Sequence, residues 1–203
     1  MLILTTTSCT SDDDPSDSAT DGCEQTLGES GVKWIESHTG GSGSLERGGM
    51  SLQDARDEYN KQMDSWDPDG HHWASELCTL KADSSSKGLK IEFGPSSLPF
   101  DFQVKSAAEG VLTPVNSAVR LHQVKDSQGV TQYGVYVKCK VLGNPSEQES
   151  LTPLAGLMTD TLTSGTSARD HMTCLLRSAR AMADVVECRN KPTIPTEPPA
   201  SVR

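Results

Sequence analysis

The chain has 203 residues, a net charge of −10 and an apolar fraction of 34%, enough for one modest core but not two. The charge is uneven: Asp12, Asp13, Asp14, Asp17 and Asp21 carry half of it, and no Lys/Arg cluster offsets it elsewhere. That balance excludes a nucleic-acid footprint and a polybasic membrane patch, and no segment is long and apolar enough to span a bilayer.

Met1–Leu4 is a short apolar stretch, followed by the small residues Thr5–Ser8, then Cys9, then a Ser/Asp-rich tract. The tract has the composition of a segment that cannot bury enough surface to fold. Two readings stand: residues 1–9 are the remnant of an export signal, with translation starting upstream and residues 10–22 a solvated acidic tether, or Cys9 is incidental and the segment is a floppy cytoplasmic tail. The folded domain is expected over residues 23–189, and residues 190–203 read as a Pro-rich disordered tail.

Within the domain, Gly28–Ser37 predicts a short helix with Val32 and Ile35 on one side, and Gly40–Ser44 a flexible connector. Ser51 and Asp54 make a capping pattern ahead of Leu52, Ala55, Tyr59, Met63 and Trp66 at helical spacing. Period-two alternation then predicts strands: Cys78 with Leu80; Leu89, Ile91 and Phe93; Phe100, Phe102 and Val104. Val119–Lys125 and Val130–Val141 flank the turn residues Asp126–Gly129 and read as a hairpin, with Cys139 on the apolar face. Residues 147–163 predict a loop or edge strand, because Pro153 and Gly156 interrupt any helix. Ser167 and Asp170 open a last helix with the stripe Ala168, Met172, Leu175, Ala179, Met182 and Val186. Its far side carries small residues, which predicts a second segment across its back, with the stretch around Cys23 as candidate. The expectation is one α+β domain: N-terminal helices, a largely antiparallel sheet of five or six strands and a long C-terminal helix.

Six cysteines stand at 9, 23, 78, 139, 174 and 188 with no C-x-x-C pair, so zinc-ribbon and thioredoxin readings fail. In an exported protein they are staples; in a reduced one they are small core residues. If Cys9 is modified, two bridges and a spare thiol remain; if not, three bridges can form. Cys174 and Cys188 lie about 21 Å apart along an intact helix and cannot bridge each other. The proposed map is Cys78–Cys139 within the sheet and Cys23–Cys188 joining the two ends, with Cys174 spare and Cys23–Cys174 as an alternative.

Ser65, Asp67, Asp69 and Glu76, with Gly70 sixth, follow the outline of a calcium loop. Ser65 replaces the usual Asp, and strand rather than helix follows Glu76, so an ordinary Asp-Pro-Asp-Gly turn is the competing reading. His71 and His72 with Asp67, Asp69 and Glu76 form an alternative set for zinc or copper, although adjacent histidines on a strand face opposite ways. No nucleophile motif occurs. Cys174 beside His171 and Arg177 is a candidate thiol only in an open, electropositive setting. His122 reads as solvent-facing, and Trp34, Trp66 and Trp73 as core unless they line a cleft.

The Thr7-Ser8-Cys9 junction with its acidic tether resembles the processing site of a bacterial lipoprotein. With Val135–Cys139 and the Arg180–Cys188 ending, the outline resembles small secreted lipoproteins of actinobacteria. The resemblance implies lipidation at Cys9, an extracytoplasmic location and anchoring to the membrane through acyl chains. On these grounds the chain is expected to be a non-enzymatic binding or interaction domain of unknown ligand. The alternatives are a small metal-assisted extracytoplasmic enzyme using the 65–76 loop and a purely structural envelope protein.

Overall fold

A computed structural model of the chain describes residues 22–39, 44–82 and 86–203. Cys9 and the acidic tether as far as Asp21 lie outside the described residues. The elements run α1 (Gly22–His38), β1 (Leu45–Gly48), α2 (Leu52–Asp64), β2 (Ser75–Ala82), β3 (Gly88–Pro95), β4 (Val111–Pro114), β5 (Val119–Lys125), β6 (Thr131–Val137), α3 (Gln148–Leu151), β7 (Leu154–Asp160) and α4 (Ala168–Val185). The seven strands form one antiparallel sheet in the order β1-β2-β3-β7-β6-β5-β4. The α+β architecture and the long final helix follow the sequence expectation; the strand count exceeds it.

The additional strands are short edges and one that is central. β7 inserts between β3 and β6, where the sequence suggested a loop or an edge. Its alternation of Leu154, Gly156 and Met158 is a core face. Gly156 belongs there because the ring of Phe93 on the neighbouring strand occupies the space a Cβ would need. Pro153 stands just before the first paired residue, where a missing amide costs no ladder bond, and its carbonyl accepts from Ser96 N at 2.8 Å.

Phe100–Lys105 is not a strand. After β3 the chain crosses the outer face of the sheet to reach β4 at the far edge. Arg120, pointing outward from β5, donates to the carbonyls of Phe100 and Phe102 and stands 5.6 Å from both ring centroids. Phe102 also packs edge-on against Tyr136 and His122. The alternating phenylalanines thus read a sheet face laid flat beneath them, with the guanidinium replacing a ladder partner.

The helices cover the inner face. α2 is capped by Ser51, whose Oγ accepts from Asp54 N at 3.1 Å, and it buries Ala55, Tyr59 and Met63. α4 opens with a complete Ser167–Asp170 capping box and buries the predicted stripe from Met172 to Val186. Its back is covered by α1, as the small residues there implied. The close approach is at Gly28, where φ is 69° and a Cβ would collide with the Arg177 guanidinium; a glycine accepts that backbone without strain.

Two disulfides between described residues staple this arrangement, and their pairing differs from the proposed map. Cys23 bonds Cys78 with the Cα atoms 4.5 Å apart, and Cys139 bonds Cys188 with the Cα atoms 4.9 Å apart. Cys78 and Cys139 cannot meet because β3 and β7 separate β2 from β6; three strand spacings make roughly 14 Å, twice the reach of a disulfide. Cys188 lies beyond the end of α4, where Arg189 N bonds Lys140 O at 2.9 Å and draws it to Cys139. Cys174, expected to be spare, is disulfide-bonded as well, and no cysteine among the described residues is free. A catalytic thiol at Cys174 is thereby removed.

The Pro-rich ending is packed rather than loose. Ile194 is buried, Thr193 O accepts from Asn116 at 2.8 Å, and Arg169 holds Glu197 and the carbonyls of Pro198 and Pro199. The domain therefore extends through residue 203. Side chains of α4 and the β4–β5 turn hold it in place.

Candidate functional site

The residues of the 65–76 loop do not converge. Asp67 Oδ1 accepts from Asp69 N at 3.0 Å, and Gly70 N bonds Asp67 O at 3.0 Å, a turn closed on itself. Ser65, Asp69 and His71 are exposed. Glu76 belongs to β2, opposite Glu92, and accepts from the Thr79 hydroxyl at 2.6 Å. No three His, Cys, Asp or Glu side chains among the described residues group as a metal site. Neighbouring His72 is half-buried: desolvation, reinforced by His71, pushes its imidazole below the ordinary histidine range against the pull of Asp67.

The turn instead presents Trp73. Gln62, buried on α2, brackets its backbone, donating from Nε2 to Trp73 O at 3.1 Å and accepting from Trp73 N at 3.0 Å. The close approach of Gly94 to the Trp73 and Ala74 backbone fixes the other side. The main chain is pinned while the residue remains 55% exposed. With the main chain already held, only the side chain remains to be ordered on binding.

Trp73 is not alone. β2 begins, β3 and β6 end, and β7 begins at the same end of the sheet. Among the described residues the exposed large hydrophobics are Trp73, Leu98 (46%), Val111, Leu142 (73%) and Leu151 (41%). All but Val111 lie at this end, Leu151 on α3 and the others on loops. Leu98 is tied to Leu151 through Phe100 N bonding Ser150 O at 2.7 Å and Ser96 N bonding Pro153 O at 2.8 Å. Trp66 reaches Thr152 Oγ1 at 2.8 Å, and Asn144, two residues after Leu142, donates to Met63 O at 3.1 Å. Clustered exposed apolar side chains mark contact surfaces, whereas scattered ones carry no message.

The opposite end holds a polar pair that sequence reasoning missed. His171 Nε2 lies 2.7 Å from Asp160 Oδ2, with side-chain exposures of 5% and 2%. Its Nδ1 lies 2.8 Å from Ser167 O. Both ring nitrogens face oxygen atoms. Tyr133 stacks on the ring at 4.5 Å and Trp34 meets it edge-on at 5.8 Å. Burial opposes ionisation of Asp160, but hydrogen bonds from His171, the Thr163 hydroxyl and the Thr163 and Leu162 amides hold its carboxyl below the ordinary range. Buried on both sides and tied to Thr163, Leu162 and Ser167, the pair fastens the β7–α4 connection. The available signal was Asp160-x-x-Thr163, a local turn in which the carboxylate caps its own loop.

The three tryptophans do not share a cleft: Trp34 is in this buried cluster, Trp66 is half-buried and Trp73 is at the other end. His122, expected to face solvent, lies on the outer face and contacts Glu109 O at 2.7 Å. Among the described residues no helix is long and apolar enough to cross a membrane. The oxidised cysteine pairs indicate an oxidising, extracytoplasmic compartment. In comparisons with known proteins, the chain matches no family, no curated protein and no solved structure.

Proposed function

We propose that this chain is an exported, non-enzymatic interaction domain that meets its partner through the apolar rim of Trp73, Leu98, Leu142 and Leu151. The observation that carries the reading is the combination of a pinned backbone and a solvent-facing indole at Trp73. A packed domain gains nothing from exposing its aromatic anchor, whereas interfaces concentrate their energy in such residues. The metal-assisted alternative, built on Asp67, Asp69, His71, His72 or Glu76, gains no support, because no three of these side chains group among the described residues.

Photo-crosslinking in intact cells tests the rim. A crosslinker at Leu98 or Leu151 is expected to give discrete adducts that the same group at Val111, on the far edge, does not. Equal labelling at all three positions, or none at the rim, would overturn the reading.

The membrane anchor is a separable part of the proposal and rests on the lipoprotein-like junction at Cys9. An acyl thioether and a disulfide compete for one sulfur, and Cys174 is itself disulfide-bonded. Intact mass and non-reducing peptide mapping of protein made with its full leader decide the matter. Diacylglyceryl mass on Cys9 supports the anchor; a Cys9–Cys174 peptide ends it.

A further inference from the structure

The loops that carry the rim hold few cations: Lys138 and Lys140 between β6 and α3, and Lys105 between β3 and β4. No Lys or Arg occurs from Gln62 to Leu80, from Ile91 to Val104 or from Val141 to Ala168. The same loops place Asp64, Asp67, Asp69, Asp101 and Glu147 in solvent. None of these five forms an ion pair among the described residues, in contrast to the paired Glu24, Glu36, Glu58 and Glu92 elsewhere. Lys138, which follows β6 at this end, is turned over the Phe100 ring at 4.7 Å. The rim is thus an apolar centre around which exposed carboxylates outnumber the neighbouring cations Lys138 and Lys140.

Resting on the reading of the rim as a contact surface, we propose that its partner is a basic polypeptide segment in which Lys or Arg alternates with large apolar residues. Apolar side chains cover Leu98, Leu142 and Leu151. The cations neutralise the surrounding carboxylates, and one of them stacks on the Trp73 indole, which binds a guanidinium or ammonium through its face. Complementary charge around an apolar centre sets partner choice and association rate, while the buried anchor sets the lifetime. A second copy of this chain fits poorly, because two copies of this end would set like charges against each other.

Calorimetric titration of the disulfide-intact protein with three synthetic octapeptides tests this: alternating Leu–Arg, alternating Leu–Glu and alternating Gly–Arg. Leu–Arg is expected to bind, with affinity falling at least fivefold between about 0.05 and 0.5 M NaCl as screening shortens. Trp73→Ala is expected to weaken it tenfold or more, and Asp67→Asn with Asp69→Asn at least threefold with a flatter salt dependence. Glu46→Gln with Asp184→Asn, remote exposed carboxylates, should change nothing. The proposal is overturned if Leu–Glu binds as well, if Gly–Arg binds as tightly, if the remote pair matters as much as the rim, or if sedimentation shows self-association lost in Trp73→Ala. Rim crosslinks in cells together with no Leu–Arg binding would refute the partner chemistry and leave the contact surface standing. Loss of both would remove the two together.

Discussion

The two ends of the sheet treat polarity in opposite ways. At the end where β7 leaves the sheet, Asp160 and His171 are charged-type side chains taken out of water and satisfied by Thr163, Leu162, Ser167 and one another. At the end where β7 enters, Trp73, Leu98, Leu142 and Leu151 are apolar side chains left in water. Each arrangement opposes the burial preference of its residues. The first makes sense as rigidity, because a fully satisfied buried network specifies one geometry. The second makes sense as readiness, because the desolvation gain is deferred until a partner arrives. Structure is secured at one end so that contact can be offered at the other.

Breaking the closed end should have the largest effect. Asp160→Ala leaves His171 Nε2, the Thr163 hydroxyl and the Thr163 and Leu162 amides without their acceptor in a dry site and is expected to cost about 3–5 kcal/mol, read as a fall in the chemical-denaturation midpoint with an unchanged slope. The same pair gives an acid dependence of known sign. Because the folded carboxyl of Asp160 is held below its ordinary 3.8, its stabilisation is complete above that value and is lost as pH falls through the lower folded value. Asp160→Asn should flatten that acid limb; an unchanged limb would show that other carboxylates carry it.

Opening the Cys139–Cys188 bridge, which closes a separation of 49 residues, should cost about 2–4 kcal/mol in Cys139→Ser with Cys188→Ser. Calorimetry would show whether the loss concerns the whole fold or only the packed ending after α4. Gln62→Leu strips both bonds from the Trp73 backbone and should cost about 1–3 kcal/mol, with partner contact weakened alongside. If stability falls and binding does not, the pinning serves packing alone.

Smaller effects sharpen the contrast. The Tyr59 hydroxyl is buried with no hydrogen-bond partner, and the same burial drives its ionisation above the ordinary tyrosine range. Tyr59→Phe is expected to stabilise by about 1 kcal/mol; a loss would reveal a bound water. Trp73→Ala should change stability least, within about 0.5 kcal/mol, because its side chain faces solvent. A variant nearly silent in unfolding and damaging in binding is the clearest separation of the two ends.

Local patterns were legible wherever one residue period governed one buried face. Ser51 and Ser167 start their helices as read, and the hairpin around Asp126–Gly129 joins β5 and β6 as read. Phe100–Lys105 misled because alternation reports a flat apolar neighbour, and that neighbour proved to be the outer face of the sheet. Gly156 misled because its lack of a side chain answers a ring on another strand. The rim was illegible for a related reason: Trp73, Leu98, Leu142 and Leu151 are far apart in sequence, and each looks like ordinary core.

The amino-acid order alone determined the compartment-type cysteine usage, the α+β class, the helix starts and the local strand periods, since each depends on neighbours within a few residues. Only the tertiary structure decided the strand order, and with it which sulfurs lie within disulfide reach, which histidine finds a carboxylate and which apolar side chains are left outside. Those outcomes depend on distances between segments, and hydrophobic periodicity carries no information about which segment lies next to which.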